Sequence, residues 1–367
     1  MLRRQFLGAG LAAATLAACR TAPRSASREE FDATVLADGR GSHRTLAAAV
    51  ADAPADGVRP YRVLVGAGRW REKLVIDRPN IHLVGADRAA SVLFFDAAAG
   101  QARPDGQPWG TWGCASVIVR ARDFSASRLS IANTFDYLGN LDSPDFQPMG
   151  PNGLQAVALM LDQGADRCTL ADVDLRGHQD TLFVDAGRSV FRRCRIAGSV
   201  DFVFGSGRAL FQDCELQSRA RPASKPRQGY IAVPSTPAAQ DCGLVFDRCR
   251  LTREAGVPDG SVALGRAWRP GRTFSDGQYG DPGALGSAVY LSCWMDAHID
   301  AAAGWDPMAY TARDGQRVML EPQDARLFEF DSRGPGAARS HNRRWLDAAQ
   351  AAAYAPARVL DGWEPGT

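Results

Sequence analysis

The chain of 367 residues contains no Gly-x-Ser-x-Gly, so the strand-turn-helix elbow of the usual serine hydrolases is missing. It has five histidines, at 43, 82, 178, 298 and 341, and no His-Glu-x-x-His can be written, which removes that route to a zinc hydrolase. Its eight cysteines show none of the paired spacings of a zinc site. Charge of one sign is also lacking: a formal net charge of +2 gives no whole-protein argument for nucleic-acid binding, so any electrostatic partner must be met locally. At 45% hydrophobic and 23% charged residues the composition is globular, with enough apolar material for a sizeable core.

The N-terminus reads as an export signal. "MLRRQFLGAGLAAATLAAC" has a basic start, an apolar run from Phe6 to Ala18 too short to span a bilayer comfortably, and small residues before Cys19. Leu16-Ala17-Ala18-Cys19 resembles the bacterial lipobox, in which the cysteine is lipidated, and Arg3-Arg4 resembles a twin-arginine signal. Arg20 stands where an inner-membrane lipoprotein usually carries Asp, so the expected location is the outer membrane. Residues 1–18 are then signal, 19–30 a tether and 31–367 the folded domain.

Short strands such as "YRVLV", "NIHLVG" and "SVIVRA" are bounded by Gly, Asn, Asp or Pro. Helical periodicity is confined to the Ala-rich stretch after Thr45 and the region around Asp347. "FRRCRI" at 191–196, "FQDCEL" at 211–216 and "FDRCRL" at 246–251 share the pattern Phe-x-x-Cys-x-aliphatic, with weaker copies at 165–170 and 290–295. Repeated strands without crossover helices predict an all-β parallel β-helix with loop excursions and short terminal helices, ahead of a sandwich or propeller. Stacked coils would bring the Cα atoms of Cys194 and Cys214 within disulfide range; Cys168, Cys249 and Cys293 are expected to be small buried thiols.

Polar residues recur with the coils. Gln155, then Gln179 and Asp180, then Asp201 are separated by 24 and 21 residues, about one coil each. Asp201 lies in "SVDFVFG", among side chains that strip a carboxylate of water unless a cation meets it. "LGRAWRP" supplies Arg266 and Trp268. In a β-helix two amides, two acids and a guanidinium would share one outer face. Singly, each of these except Asp201 reads more readily as turn, surface amide or packed bend. His178 is expected at the rim rather than as a base, and His298 as a core or loop residue.

These segments resemble the signature regions of the pectin methylesterases, and the resemblance covers nearly the whole mature chain. "GRWRE" at 68–72 is similar to that family's Gly-x-Tyr-x-Glu region, followed in family order by "QAVAL", "QDTL", "DFVFG" and "LGRAW", with "HIDAAAGWDPM" and "FEFDSRGPGA" resembling its C-terminal segments. The resemblance implies a right-handed parallel β-helix, a Cys194–Cys214 disulfide, no cofactor and no metal. It implies that Asp201 is the nucleophile toward a galacturonate methyl ester and that Gln179 and Gln155 donate to the oxyanion. Asp180 would protonate departing methanol and then activate the water that hydrolyses the glycosyl-ester intermediate, while Arg266 holds Asp201 ionised and aimed. Asp180, close to a like charge and short of water, is expected to remain protonated. Trp268, Phe202, Phe183, Thr134 and Met308 would contact the sugar, with Trp305 adjoining.

The sequence departs from the family at Ala267 for Pro, Trp70 for Tyr, Phe183 for the bacterial Tyr and Ser332 for Asn, which leaves subsite preference open. The expected partners are pectin or a methylated oligogalacturonide and, through Cys19, a membrane; the expected assembly is a monomer and no nucleic acid is bound. "SRARPASKPRQGY" at 218–230 reads equally as an attractor for a polyanionic chain or as a solvated loop. The alternatives to demethylation are hydrolysis of another ester or thioester on the same fold, a non-catalytic carbohydrate-binding β-helix, and a calcium-dependent pectate lyase.

Overall fold

The computed structural model describes residues 1, 30–143 and 153–366. Cys19, the proposed signal and most of the tether lie outside them.

From Phe31 onward the chain winds into a parallel β-helix. Among the described residues, three parallel sheets of ten, seven and eight strands form its walls, and each coil contributes a strand to each wall in turn. Strands Arg188–Arg192, Arg195–Gly198 and Val203–Gly205, for example, pair respectively with Arg208–Gln212, Glu215–Ser218 and Gly229–Pro234 of the next coil. Two antiparallel hairpins, Gly271–Phe274 with Gly277–Gly280 and Met308–Thr311 with Arg317–Leu320, leave the coil as excursions.

The Phe-x-x-Cys-x-aliphatic repeat is explained by one corner of the coil. The Phe is the next-to-last residue of a strand of the ten-stranded sheet and points inward, so that Phe191, Phe211, Phe246 and Tyr290 stack with ring centroids 4.6–4.7 Å apart. The residue two further on turns the corner with positive φ: Arg193 at 51°, Asp213 at 53°, Arg248 at 52° and Ser292 at 50°. The small cysteine fills the inside of the bend, and the aliphatic residue (Ile196, Leu216, Leu251, Met295) returns to the core on the next wall. The copy at 165–170 is out of register: Cys168 pairs with Ser189 inside a strand, and Val173 occupies the place of Cys194 one coil earlier.

The expected disulfide is not formed. Cys194 and Cys214 are separate buried thiols, donating to the carbonyls of Leu170 and Arg192 and of Phe191 and Gln212. Cys214 has an equivalent neighbour on either side, Cys194 below and Cys249 above, so the stacking singles out no one partner for it.

Two of the family-like segments hold the coil together. Glu72 of "GRWRE" accepts the Leu46 and Ala47 N–H groups at 2.9 and 3.0 Å, capping the helix Leu46–Ala51 that covers the first strands. Glu329 of "FEFDSRGPGA" makes a fully buried bidentate pair with Arg343 at 2.7 and 2.6 Å.

Phe211, fully buried between Phe191 and Phe246, is the test of the ladder. Phe211→Ala is expected to cost about 3–5 kcal/mol, visible as a lowered midpoint in denaturant unfolding; a change below about 1 kcal/mol would show that the stack does not carry the core.

Candidate active site

The acids sit at a second corner, between the eight-stranded and seven-stranded sheets. Asp180 and Asp201 each lie two residues ahead of the paired residues Leu182 and Val203, so they stack one coil apart, about 4.8 Å in a parallel sheet. Both have positive φ, 63° and 53°, a conformation Asp tolerates better than most residues. Backbone bonds fix the corner: Asp180 N–H donates to Val200 at 3.0 Å and Leu182 N–H to Phe202 at 2.9 Å.

The cation that Asp201 requires comes from 65 residues away. Arg266 donates through Nε and a terminal nitrogen to the two carboxylate oxygens at 3.0 and 2.7 Å. It leaves the end of strand Val262–Gly265, anchored by its own N–H to Ala232 O at 3.0 Å. Gly265 permits this exit, since a Cβ there would lie 1.9 Å from the Ala232 carbonyl.

Asp180 makes no ion pair among the described residues. Burial pushes its carboxyl well above the usual range, the adjacent Asp201 pushes it the same way, and Arg266 only partly opposes them. The pair is thus divided into an acid that keeps its proton and a carboxylate clamped by a guanidinium. Gln155 Oε1 accepts from Gly153 N–H at 2.7 Å, and the Gln179 carbonyl accepts from Ala156 N–H at 3.1 Å, which ties both amide-bearing segments to the same corner.

The outer face of the seven-stranded sheet is apolar: Ile118, Met160, Phe183, Phe204 and Val233 stack beside the acids, with Trp268 and Met308 packed at the margin. Phe183 is fully buried, stacked on Phe204 at 4.1 Å and roofed by Trp112 at 5.3 Å, so it supports the groove without touching its contents. Phe202 is also fully buried and points into the coil, because the turn at Asp201 swings it inward against Gly198. Trp305 is core as well, 2% exposed. Thr134 is exposed, its hydroxyl donating to Phe95 O at 3.2 Å.

Two hollows flank the acids. One of about 460 Å³ includes Thr134, Tyr137, Leu138, Arg176, His178 and Arg219; the other, about 220 Å³, lies between Trp112 and Trp268 over Asp185 and Arg272. His178 is buried, stacked on Tyr137 at 5.0 Å, and pulled down to about 3 by burial with Arg219 and Arg221 adding, so it stays neutral in the working range. His298 is core, Nε2 against Ser218 Oγ at 3.1 Å.

Trp112 and Tyr230 are not legible as site residues in the sequence. The exposed Trp112 ring lies 6.4 Å from Trp268 and donates to Asp185 at 3.3 Å; a tryptophan in the Gly110-Thr111-Trp112-Gly113 stretch of a long loop was its only signal. Tyr230 lies under Arg266. The basic loop is stapled rather than free: Arg219 pairs with Glu254, Lys225 with Asp142, and Arg227 with both Asp300 and Asp306, all at 2.9–3.0 Å.

Residues 32–362 match the pectinesterase family. The chain belongs to the pectinesterase family. It is 42% identical over 331 residues to Pectinesterase A of Dickeya dadantii, covering 89% of each chain. Among solved structures, pectin methylesterase PemA from Erwinia chrysanthemi superposes with a TM-score of 0.87 at 43% identity over 92% of this chain and 99% of that one. The pectin methylesterase from Yersinia enterocolitica gives 0.82 at 39% over 88% and 99%. A pectin methylesterase carrying an Asp-to-Ala substitution, solved in complex with a hexasaccharide, gives 0.86 at 41% over 93% and 100%.

Asp180→Asn is expected to stabilise the protein while removing an acid. With the folded-state pKa raised, wild type loses stability as pH climbs from about 4, where the unfolded chain ionises, up to the folded value, and the amide avoids that loss. Asn also suits the positive φ. Thermal unfolding should show the gain of Asn over wild type growing between pH 4 and pH 7; an equal or shrinking difference would contradict a buried protonated acid.

Proposed function

We propose that this pectinesterase hydrolyses galacturonate methyl esters in pectin or methylated oligogalacturonides, releasing methanol. The observation that carries the reading is the division of labour at one corner: a carboxylate clamped by Arg266 stacked against a carboxyl that burial keeps protonated.

The chemistry follows from that division. Asp201 attacks the ester carbonyl and the developing oxyanion is met by the amides of Gln179 and Gln155, worth about 10²–10³ in rate for one well-placed donor. Collapse expels methoxide, which takes the proton of Asp180 as it leaves, and the galacturonyl group remains as an acyl group on Asp201. Asp180, now ionised beside a neutral acyl group, draws a proton from water; the hydroxide attacks the acyl carbonyl and Asp201 departs as the carboxylate that Arg266 stabilises. Each proton is returned and the net reaction is ester plus water to acid plus methanol. No metal or cofactor takes part in this scheme.

Substrate contact is assigned to exposed or marginal groups: Thr134, Trp268, Met308 and the newly placed Trp112. Two neighbouring indoles, tilted 41° to each other, offer aromatic surface to a pyranose ring, whose C–H faces pack on such surfaces. The chain is further proposed to be an outer-membrane lipoprotein anchored at Cys19. The lipobox-like segment supports this.

Asp201→Ala should release no methanol from methylated oligogalacturonate while retaining a cooperative unfolding transition, and Gln179→Ala should lose about 10²–10³ in kcat. Turnover close to wild type in the aspartate variant would overturn the nucleophile assignment. Cys19→Ala should move the protein from the membrane to the soluble fraction on cell fractionation; unchanged membrane association would overturn the anchor.

A further inference from the structure

We propose that Tyr230 is a positioning residue that fixes the tilt of the Arg266 guanidinium and through it the attack geometry of Asp201; this rests on the esterase reading above. The two in-plane hydrogen bonds at 3.0 and 2.7 Å fix where the edge of the guanidinium meets the carboxylate. They leave rotation about that edge unopposed. The Tyr230 ring opposes it: Arg266 Cζ lies 3.8 Å above the ring centroid, well inside the range of a cation–π contact.

Nothing else among the described residues takes this part. Asp180 stays protonated and forms no ion pair with Arg266; Asp306 is a further acid nearby, but its carboxylate is held by Arg227 at 2.9–3.0 Å, and its tie to the Arg266 segment is a backbone bond from its N–H to Gly265 O at 3.0 Å. The Tyr230 hydroxyl, in turn, has no hydrogen-bond partner among the described residues. What the residue contributes is therefore its face.

The ring is located by the same backbone that locates the nucleophile. Tyr230 N–H donates to Ser199 O at 3.1 Å and Tyr230 O accepts from Phe202 N–H at 3.4 Å, so the two bonds bracket Asp201 along the chain. Carboxylate, guanidinium and ring are thus held as one unit spanning three consecutive strands of the seven-stranded sheet. A guanidinium free to tilt would let the Asp201 oxygens turn away from the ester carbon without any change in how the sugar is bound.

The experiment measures kcat and KM for methanol release from a methylated oligogalacturonate with wild type, Tyr230→Phe and Tyr230→Leu. Methanol release by wild type is the control for the esterase reading itself. The expected result is kcat down about tenfold in the leucine variant with KM within about twofold, the scale of a desolvated cation–π contact, and near-wild-type kcat in the phenylalanine variant, which keeps the face. If leucine unfolds at the assay temperature, Tyr230→Met replaces it with the same expectation. Full activity in the leucine variant, equal loss in the phenylalanine variant, or a loss confined to KM would each overturn the proposal, the last by making Tyr230 a sugar contact.

Discussion

The bidentate bond between Arg266 and Asp201 is the constraint to which the rest of the molecule answers. Without it a carboxylate in this apolar setting would lose its hydration with no cation to replace it. Its two halves lie 65 residues apart, and only a coil that returns the chain to the same place on successive levels, Val203 beside Ala232 and Ala232 beside Gly265, brings them within hydrogen-bonding distance. The neighbour one level down, Asp180, is kept neutral by the same crowding that Arg266 relieves for Asp201. One electrostatic conflict, settled differently at two adjacent levels, yields an acid and a nucleophile.

The corner that carries these acids is an ordinary device of the fold. At the corner after the ten-stranded sheet, Asp172, Arg193, Asp213 and Arg248 also adopt positive φ, and there the side chains pair across coils, Arg193 with Asp172 and Arg248 with Asp213. Those pairs are largely exposed and contribute little individually. The same backbone turn, moved to the next corner and enclosed by aromatic rings, becomes chemistry. The difference lies in burial, not in conformation.

The coil was legible because its corner demands a repeated pattern: large inward ring, left-handed turn, small thiol, aliphatic. The polar ladder was legible because the coils between Gln155 and Asp201 carry no long excursion, so that sequence spacing maps onto height there. What could not be read was side-chain direction next to a left-handed residue. Two-residue alternation would put Phe202 opposite its neighbours, but the turn at Asp201 sends it inward, while Phe183 is hidden by a tryptophan 71 positions earlier. Trp112 and Tyr230 were missed for the same reason: they enter the site from a long loop and from the middle of an unremarkable strand, with no local motif to mark them. Stacking does not single out the thiol pairing implied by family likeness either, since a ladder of equivalent cysteines does not by itself choose between neighbours.

The stapled loop at 218–230 bears on how a polymer finds the groove. With Arg219, Lys225 and Arg227 paired with internal acids and Arg221 bonded to the carbonyl oxygens of Arg227 and Gln228, the field of this rim is much reduced beyond a Debye length, about 8 Å at physiological ionic strength. Capture of a heavily methylated strand, itself nearly uncharged, then proceeds by short-range contact with indole and thioether surfaces, and salt in the medium has little leverage over the encounter.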